Sequence, residues 1–246
     1  MLDIGTLKGK HIVIFGASSG IGQAVAQLSL EHGLITSLAA RRKLKLQEIA
    51  KDYPSHCYFD SVDITQMTRV NDFIQSAIKT FGPIDYVINC AGVMYYQLMQ
   101  KRNYNEWITM VETNIIGLLN ITHAVINPLI TSQGMFINVT SDAGKQAFPG
   151  LAVYSGTKAF MEFTLKGLRY ELIEHGVRIV NIQPGNVATE LHHHSSDQDA
   201  VKQYSSSNNG QFLEAKDIAS TIFHTMQQPK NVALNEILIE PQQEPI

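Results

Sequence analysis

Short β-rich apolar runs alternate with longer segments of helical period along the whole chain, and that alternation admits few folds. Residues His11 to Phe15, Leu34 to Ala40, His56 to Phe59, Tyr86 to Cys90, Gly134 to Thr140, Arg178 to Gln183 and Glu236 to Ile239 read as strands. Helices are expected from Gly20 to His32, Leu44 to Tyr53, Gln66 to Thr80, Tyr104 to Ile126, Val153 to His175 and Ala215 to Gln228. Gly33 and Pro54 are stop signals, and Pro128 follows the last turns of the long helix. A strand that returns through a helix to a parallel neighbour crosses over right-handed, and the resulting sheet needs cover on both faces. The expected class is α/β, a doubly wound parallel sheet in a single domain over residues 1–246.

At 44% hydrophobic and 17% charged residues, the 246-residue chain can fill one sizeable core. A net charge of −3 gives no reason to expect a nucleic acid partner. Cys57 and Cys90 each sit in an apolar run and read as buried free thiols rather than a disulfide framework. The start, MLDIGTLKGK, lacks the basic and apolar regions of a signal peptide, and no uninterrupted apolar run approaches the roughly 18 residues of a membrane span. A cytoplasmic protein without a membrane partner is expected. Only Glu190 to Gly210 breaks the rhythm: rich in His, Ser, Asp and Asn, it is either a lid over a site (190–210) or a solvated insertion.

Between the first strand and first helix lies Gly16-Ala-Ser18-Ser19-Gly20-Ile21-Gly22. A helix N-terminus offers unpaired N–H groups and a positive dipole end, which suit a pyrophosphate, and glycines let the backbone approach it. Glycines alone are weak evidence; strand before and helix after strengthen it. At the end of the second strand, an acidic residue would hold the adenosine ribose hydroxyls. This chain has Arg41 and Arg42 there instead, two guanidiniums suited to a 2′-phosphate. The alternative is a solvated basic helix start, although a helix N-terminus disfavours positive charge. The implied cofactor is NADP(H).

Tyr154 and Lys158 stand four apart, on one face of the expected helix. A nearby ammonium, with an oxidised nicotinamide, is expected to bring the phenol from its usual pKa of about 10 toward working range. The pair alone is weak evidence. Thirteen residues upstream of Tyr154, Ser141 follows a strand whose C-terminal end should face the ligand crevice. Ser141 is placed to donate to a substrate oxygen while Tyr154 gives or takes the proton.

With these residues the chain resembles the short-chain dehydrogenase/reductase family, nearly end to end. The resemblance rests on the glycine loop, Asp63-Ile64 after the third strand, Asn89-Cys90-Ala91-Gly92, Asn114, Ser141, Tyr154, Lys158 and Pro184-Gly185-Asn186-Val187-Ala188-Thr189. It implies a Rossmann fold and a catalytic set of Asn114, Ser141, Tyr154 and Lys158. It further implies adenine contact at Asp63, a cofactor wall at Asn89, Ala91 and Gly92, and a water-linked relay from Lys158 to Asn114. Pro184, Gly185, Val187 and Thr189 would meet the nicotinamide side. Phe15 replaces the usual Thr before the first glycine, and Cys90 replaces an Asn. The closing segment, with the arginine pair, resembles the NADPH-preferring carbonyl reductase and hydroxy-acid dehydrogenase branch, whose members commonly form homodimers or homotetramers through helix faces.

The expected activity is hydride transfer between NADP(H) and a ketone or secondary alcohol, with Tyr154 as general acid and base. Val93, Met94 and Phe148, with Tyr95, Gln146 and Gly185, are the candidate pocket residues, beside Ser141 and Tyr154. An epimerase or dehydratase of the same family, or a regulator that binds NADPH without turnover, are the rival readings. The run His192-His193-His194 is not expected to bind metal, because adjacent side chains diverge and no second ligand cluster accompanies them.

Overall fold

The computed structural model describes residues 4–191, 195–204 and 212–243. Seven strands, β1 (His11–Phe15), β2 (Ile35–Ala40), β3 (Cys57–Ser61), β4 (Tyr86–Asn89), β5 (Met135–Val139), β6 (Arg178–Pro184) and β7 (Glu236–Ile239), form one sheet in the order β3-β2-β1-β4-β5-β6-β7. Every neighbouring pair is parallel. The doubly wound Rossmann-like sheet expected from the alternating pattern is therefore present. The order reverses between β1 and β4, so the C-terminal ends of these strands flank an open crevice, the place where such sheets bind ligands.

Helices α1 (Gly20–Glu31) and α8 (Ala215–Met226) cover one face, where Val25, Leu30, Ile222 and Phe223 pack on Ile12, Ile14 and Ile182. On the other face lie α3 (Met67–Phe81), α5 (Gly117–Ser132) and α6 (Ala152–Leu172), with Phe73, Ile121 and Leu165 against Val13, Phe15, Val87 and Phe136. Strands buried on both faces explain the continuous apolar runs of β1, β4 and β5. The short helix α2 (Lys43–Ala50) follows β2, and α4 (Tyr104–Met110) precedes the long helix.

The long helix differs from the sequence reading in two ways. Pro128 lies inside α5, which continues to Ser132 because buried Leu129 holds the last turn on the core and Gln133, at φ 52°, ends it in the left-handed region. The long helix is also interrupted by a π segment, Val111–Ile116, between α4 and α5. The continuous helical stretch Tyr104–Ser132 is long and apolar enough to cross a membrane by length and composition; 44% of its most apolar window is buried against the rest of the fold.

A third apolar cluster sits beyond the crevice, formed by Val93, Met94, Tyr96, Met110, Leu151, Tyr154 and Ala200. Ala200 belongs to α7 (Gln198–Tyr204), so part of the polar 190–210 segment contributes to a core after all. Its polarity has a structural use. Ser195 Oγ accepts from the Tyr96 amide at 2.8 Å, Asp197 from the Leu98 amide at 3.3 Å, and Ser196 Oγ from Asn103 at 2.8 Å. Ser195 and Asp197 thereby satisfy the backbone N–H groups of Tyr96 and Leu98, just before the short 3-10 helix Met99–Lys101, while Ser196 ties down the Asn103 side chain. The His192–His194 run falls outside the described residues; among the described residues, no three His, Cys, Asp or Glu side chains are grouped to hold a metal ion.

Candidate active site

Gly16 leaves β1 at φ +76°, and a Cβ there would lie 2.6 Å from the Ala91 amide nitrogen. Gly22, in the first turn of α1, is packed so tightly that a Cβ would lie 2.3 Å from the Gly16 carbonyl oxygen. Only glycine lets β1, α1 and the chain after β4 approach this closely. The Ser19 side chain does not cap α1, so the first-turn N–H groups of Gly20, Ile21 and Gly22 have no intrahelical partner beside the cleft. This cradle fits a pyrophosphate by shape and by dipole.

The cleft has a volume of about 460 Å³ and runs along the strand C-termini. Ser18, Ser19, Arg41, Arg42, Asp63 and Ile64 border one end, with Ala91 and Gly92 at the middle. Ser141, Tyr154, Lys158, Pro184, Gly185 and Val187 border the other, joined by Val93, Met94, Tyr95 and Phe148, while Thr189 packs against Gly20 of the loop. Gln146 is exposed and does not border the cleft, because the chain turns outward after the short helix Asp142–Gly144. Asn89 and Asn114 lie just behind the wall, both fully enclosed.

Arg42 reaches back over the glycine loop. Its Nε donates to Ser18 Oγ at 3.1 Å, one terminal nitrogen to Ser19 Oγ, and the other to Glu190 at 2.8 Å. Asp63 accepts from both the amide and the hydroxyl of Thr65, at 3.0 and 2.8 Å, which fixes its carboxylate at the rim. Asn89 donates to Asn138 at 2.7 Å and accepts from the Ala91 amide at 3.1 Å, so this side chain shapes the wall from behind. Phe15, where the resemblance led one to expect Thr, is completely buried and meets Phe73 edge-on at 5.7 Å. It exchanges a loop hydrogen bond for core packing. Cys57 and Cys90 are free, and burial pushes both thiols up to about 12.

Tyr154 and Lys158 share one face of α6, with the Lys158 ammonium 5.5 Å from the centre of the tyrosine ring. Lys158 donates to the Val139 carbonyl at 3.1 Å. Burial dominates both groups: it raises the Tyr154 phenol well above its usual range and lowers Lys158 to about 8. The expected lowering of Tyr154 by Lys158 is therefore not present in the protein alone. Hydrogen bonding with Ser141 favours the phenolate, whereas the Asp142 charge opposes it. Ser141 itself donates to Asp142 at 2.7 Å and accepts from the Ala143 amide at 3.1 Å.

Asn114 sits in the π segment. Its Oδ1 accepts from the Val93 amide at 2.9 Å, while its Nδ2 donates to the Val93 carbonyl at 2.9 Å and to Thr157 at 3.0 Å. The side chain thus clamps the loop after β4 to α6, one residue before Lys158. Sequence reasoning missed Glu162, a buried carboxylate one turn beyond Lys158 on the same helix face. Glu162 accepts from Thr140, from Asn181 at 2.9 Å and from Gln183 at 2.8 Å, and its charge favours the ammonium of Lys158. An acidic residue on the Tyr–Lys stripe of an otherwise apolar face was the available signal. Asp142 and Glu190 were also missed, since neither belongs to a spacing motif.

Strand ends, glycine cradle and hydroxyl-bearing crevice together define an oxidoreductase of the dinucleotide-binding type. Residues 10–200 match the short chain dehydrogenase family, and the chain belongs to it. It is 35% identical, over 96% of its length and 98% of the other protein's, to an uncharacterized oxidoreductase of Staphylococcus aureus. It is 39% identical over 98% of its length to part of the glycine betaine reductase ATRR of Emericella nidulans, of which it spans only 19%. Among solved structures, the closed form of a serine dehydrogenase complexed with NADP+ superposes with a TM-score of 0.88 at 25% identity, covering 96% of both chains.

Proposed function

We propose that this chain transfers a hydride between NADP(H) and a carbonyl or secondary alcohol, with Tyr154 as the proton donor and acceptor. The observation that carries the reading is the convergence of Ser141, Tyr154 and Lys158 on one end of a cleft whose other end is the glycine cradle. Gly16 to Gly22 would hold the pyrophosphate, Arg41 and Arg42 the 2′-phosphate, Asp63 and Ile64 the adenine side, and Asn89, Ala91 and Gly92 the central wall. When bound, the nicotinamide supplies or accepts the hydride.

Ser141 and Tyr154 then orient the substrate oxygen by hydrogen bonds. In reduction, Tyr154 gives its proton to that oxygen; in oxidation it takes the proton back. The Lys158 ammonium and the positive charge of a bound oxidised nicotinamide would together favour the phenolate and offset the burial that raises Tyr154 in the protein alone. Asn114 acts by fixing Val93 and α6, a positioning role that is compatible with a water-linked relay. The described residues of the 190–210 segment serve as a wall closing the substrate end of a single-domain, cytoplasmic enzyme. The exposed Phe163 and Tyr170 on α6, Ile173 just after it and Leu119 on α5 supply apolar faces for a homodimer or homotetramer.

Retention of Tyr154 and Lys158 alongside the cradle favours an enzyme over a cofactor-sensing regulator, which needs the cradle alone. Glycine betaine reductase is named for a substrate bearing a quaternary ammonium, and the closed serine dehydrogenase for one bearing a primary ammonium. Both support a small polar carbonyl or alcohol as the substrate. The deciding experiment is Tyr154→Phe assayed with NADPH and a panel of ketones and aldehydes. Turnover should fall by about 10²- to 10⁴-fold, the usual worth of a general acid, while NADPH binding persists. Near-normal turnover would overturn the assignment.

A further inference from the structure

We infer that Asp142 is a positioning residue for the proton step, holding Ser141 as an acceptor and Tyr154 as a proton donor, so that the resting site is set for carbonyl reduction. The inference rests on the function proposed above and adds a residue to its proton step. Asp142 opens the short helix Asp142–Gly144 after β5, is partly buried, and borders the cleft beside Ser141 and Tyr154. The Ser141 hydroxyl has a single proton, and it goes to Asp142 Oδ1 at 2.7 Å. The Ala143 amide fixes this arrangement by donating to both Asp142 Oδ1, at 2.6 Å, and Ser141 Oγ, at 3.1 Å. One lone pair of Ser141 is then left, for the Tyr154 hydroxyl or for the hydroxyl of an alcohol substrate.

Burial is the largest influence raising the Tyr154 phenol. Asp142, from the short helix, and Tyr96, from the loop after β4, then oppose the phenolate by their charge. Lys158, on the same helix with its ammonium 5.5 Å from the ring centre, is the nearby cation. Ser141 supports a phenolate only by donating a proton to it, and Asp142 withholds that proton. Asp142 therefore acts twice, by its charge and through Ser141, and both effects keep the tyrosine protonated. Lys158 answers to burial first and then to the charges of Glu162 and Cys90, so the influence of Asp142 falls on the tyrosine. In reduction the carbonyl carbon gains the hydride of NADPH and the oxygen gains the Tyr154 proton, giving an alcohol and NADP+. The phenolate left behind regains a proton from water, and a neighbouring carboxylate lets it do so at higher pH.

The test is the pH dependence of kcat in both directions. The probes are cyclohexanone with NADPH and cyclohexanol with NADP+, or the ketone of the panel above that turns over fastest and its alcohol. Asp142→Asn removes the charge, while its amide oxygen can still accept from Ser141 and Ala143. Oxidation needs the phenolate and reduction the phenol. The rise of oxidation with pH and the fall of reduction should therefore both move to lower pH, by about half a unit or more. Asp142→Glu, which keeps the charge, should stay closer to wild type in both midpoints, even where kcat falls. A residue that only shapes the turn would lower kcat alike at every pH. Asp142→Ser repeats the comparison if the Asn variant does not fold, since serine also suits a tight turn. Unchanged midpoints in a folded, active variant would overturn the inference while leaving the oxidoreductase reading intact. If wild type turns over in neither direction with either nicotinamide cofactor, the function falls and the inference falls with it.

Discussion

The Arg42 guanidinium ends 2.8 Å from the Glu190 carboxylate, joining residues 148 positions apart at the mouth of the cleft. Glu190 follows Thr189, whose side chain packs within 3.2 Å of where a Gly20 Cβ would be. The contact therefore ties the guanidinium proposed for the 2′-phosphate to the segment that crosses the glycine cradle. Both side chains are about half exposed, at 46% and 57%. Such a pair contributes on the order of 0–1 kcal/mol.

Cofactor choice should follow from this geometry. Replacing Arg41 and Arg42 with Ala is expected to weaken NADPH binding by about tenfold or more, the loss of charge-assisted phosphate contacts, and NADH binding much less. Glu190→Gln should strengthen NADPH binding modestly, up to about fivefold, by freeing Arg42 from its competitor. Fluorescence titration with each cofactor checks both; equal losses for NADPH and NADH would remove the arginines from the 2′-phosphate.

Lys158 is held as an ammonium at a cost. Its folded pKa of about 8 lies below its usual 10.5, so the destabilisation is fully present below pH 8. It is relieved as pH rises from about 8 to 10.5, because the unfolded chain then binds more protons than the folded one. Lys158→Met should consequently melt higher than wild type at pH 7, with the gain shrinking toward pH 10, and should lose turnover. Thermal unfolding across that range is the measurement.

Glu162 supports the same ammonium. In Glu162→Gln the Lys158 pKa should fall further, since the lost charge favoured protonation. The alkaline decline of turnover should then begin at lower pH than in wild type, although the Thr140, Asn181 and Gln183 bonds can largely persist. An unchanged pH profile would limit Glu162 to packing.

Assembly has its own readout. Phe163 and Tyr170 on α6 and Ile173 just beyond its end are each at least two-thirds exposed, with Phe163 at 76%. Phe163→Glu should reduce the solution mass measured by sedimentation to that of one chain. A mass unchanged from wild type would exclude this face.

The seven strands were readable because each is a short apolar run bounded by a glycine, a proline or a helical pattern. Glycine loop and Tyr154–Lys158 spacing were readable for a related reason: their geometry is local, within one turn or one helix. What escaped depends on pairs far apart in the chain. Glu190 finds Arg42 only after the sheet forms, and Glu162 meets Asn181 and Gln183 only once β6 lies beside β5. The end of α5 lies four residues past Pro128 because buried Leu129 outweighs the proline signal. The polar segment reads as a lid or a solvated insertion, yet Ala200 is fully buried, since Ser195 and Asp197 near it are bonded to loop backbone.

The π segment at Val111–Ile116 has a mechanical consequence. One extra residue in a turn rotates everything beyond it by about 100° relative to an unbroken α-helix. Met110, before the segment, packs in the cluster around Tyr154, whereas Leu118 and Ile121, after it, pack against the sheet. No uninterrupted helix of this sequence could keep both sets of contacts. The stretch behaves as a gear with a tooth added, holding the reaction chamber and the sheet core each in phase with its own contacts, and deleting a single residue there would let a regular α-helix span the same stretch with both faces still aligned.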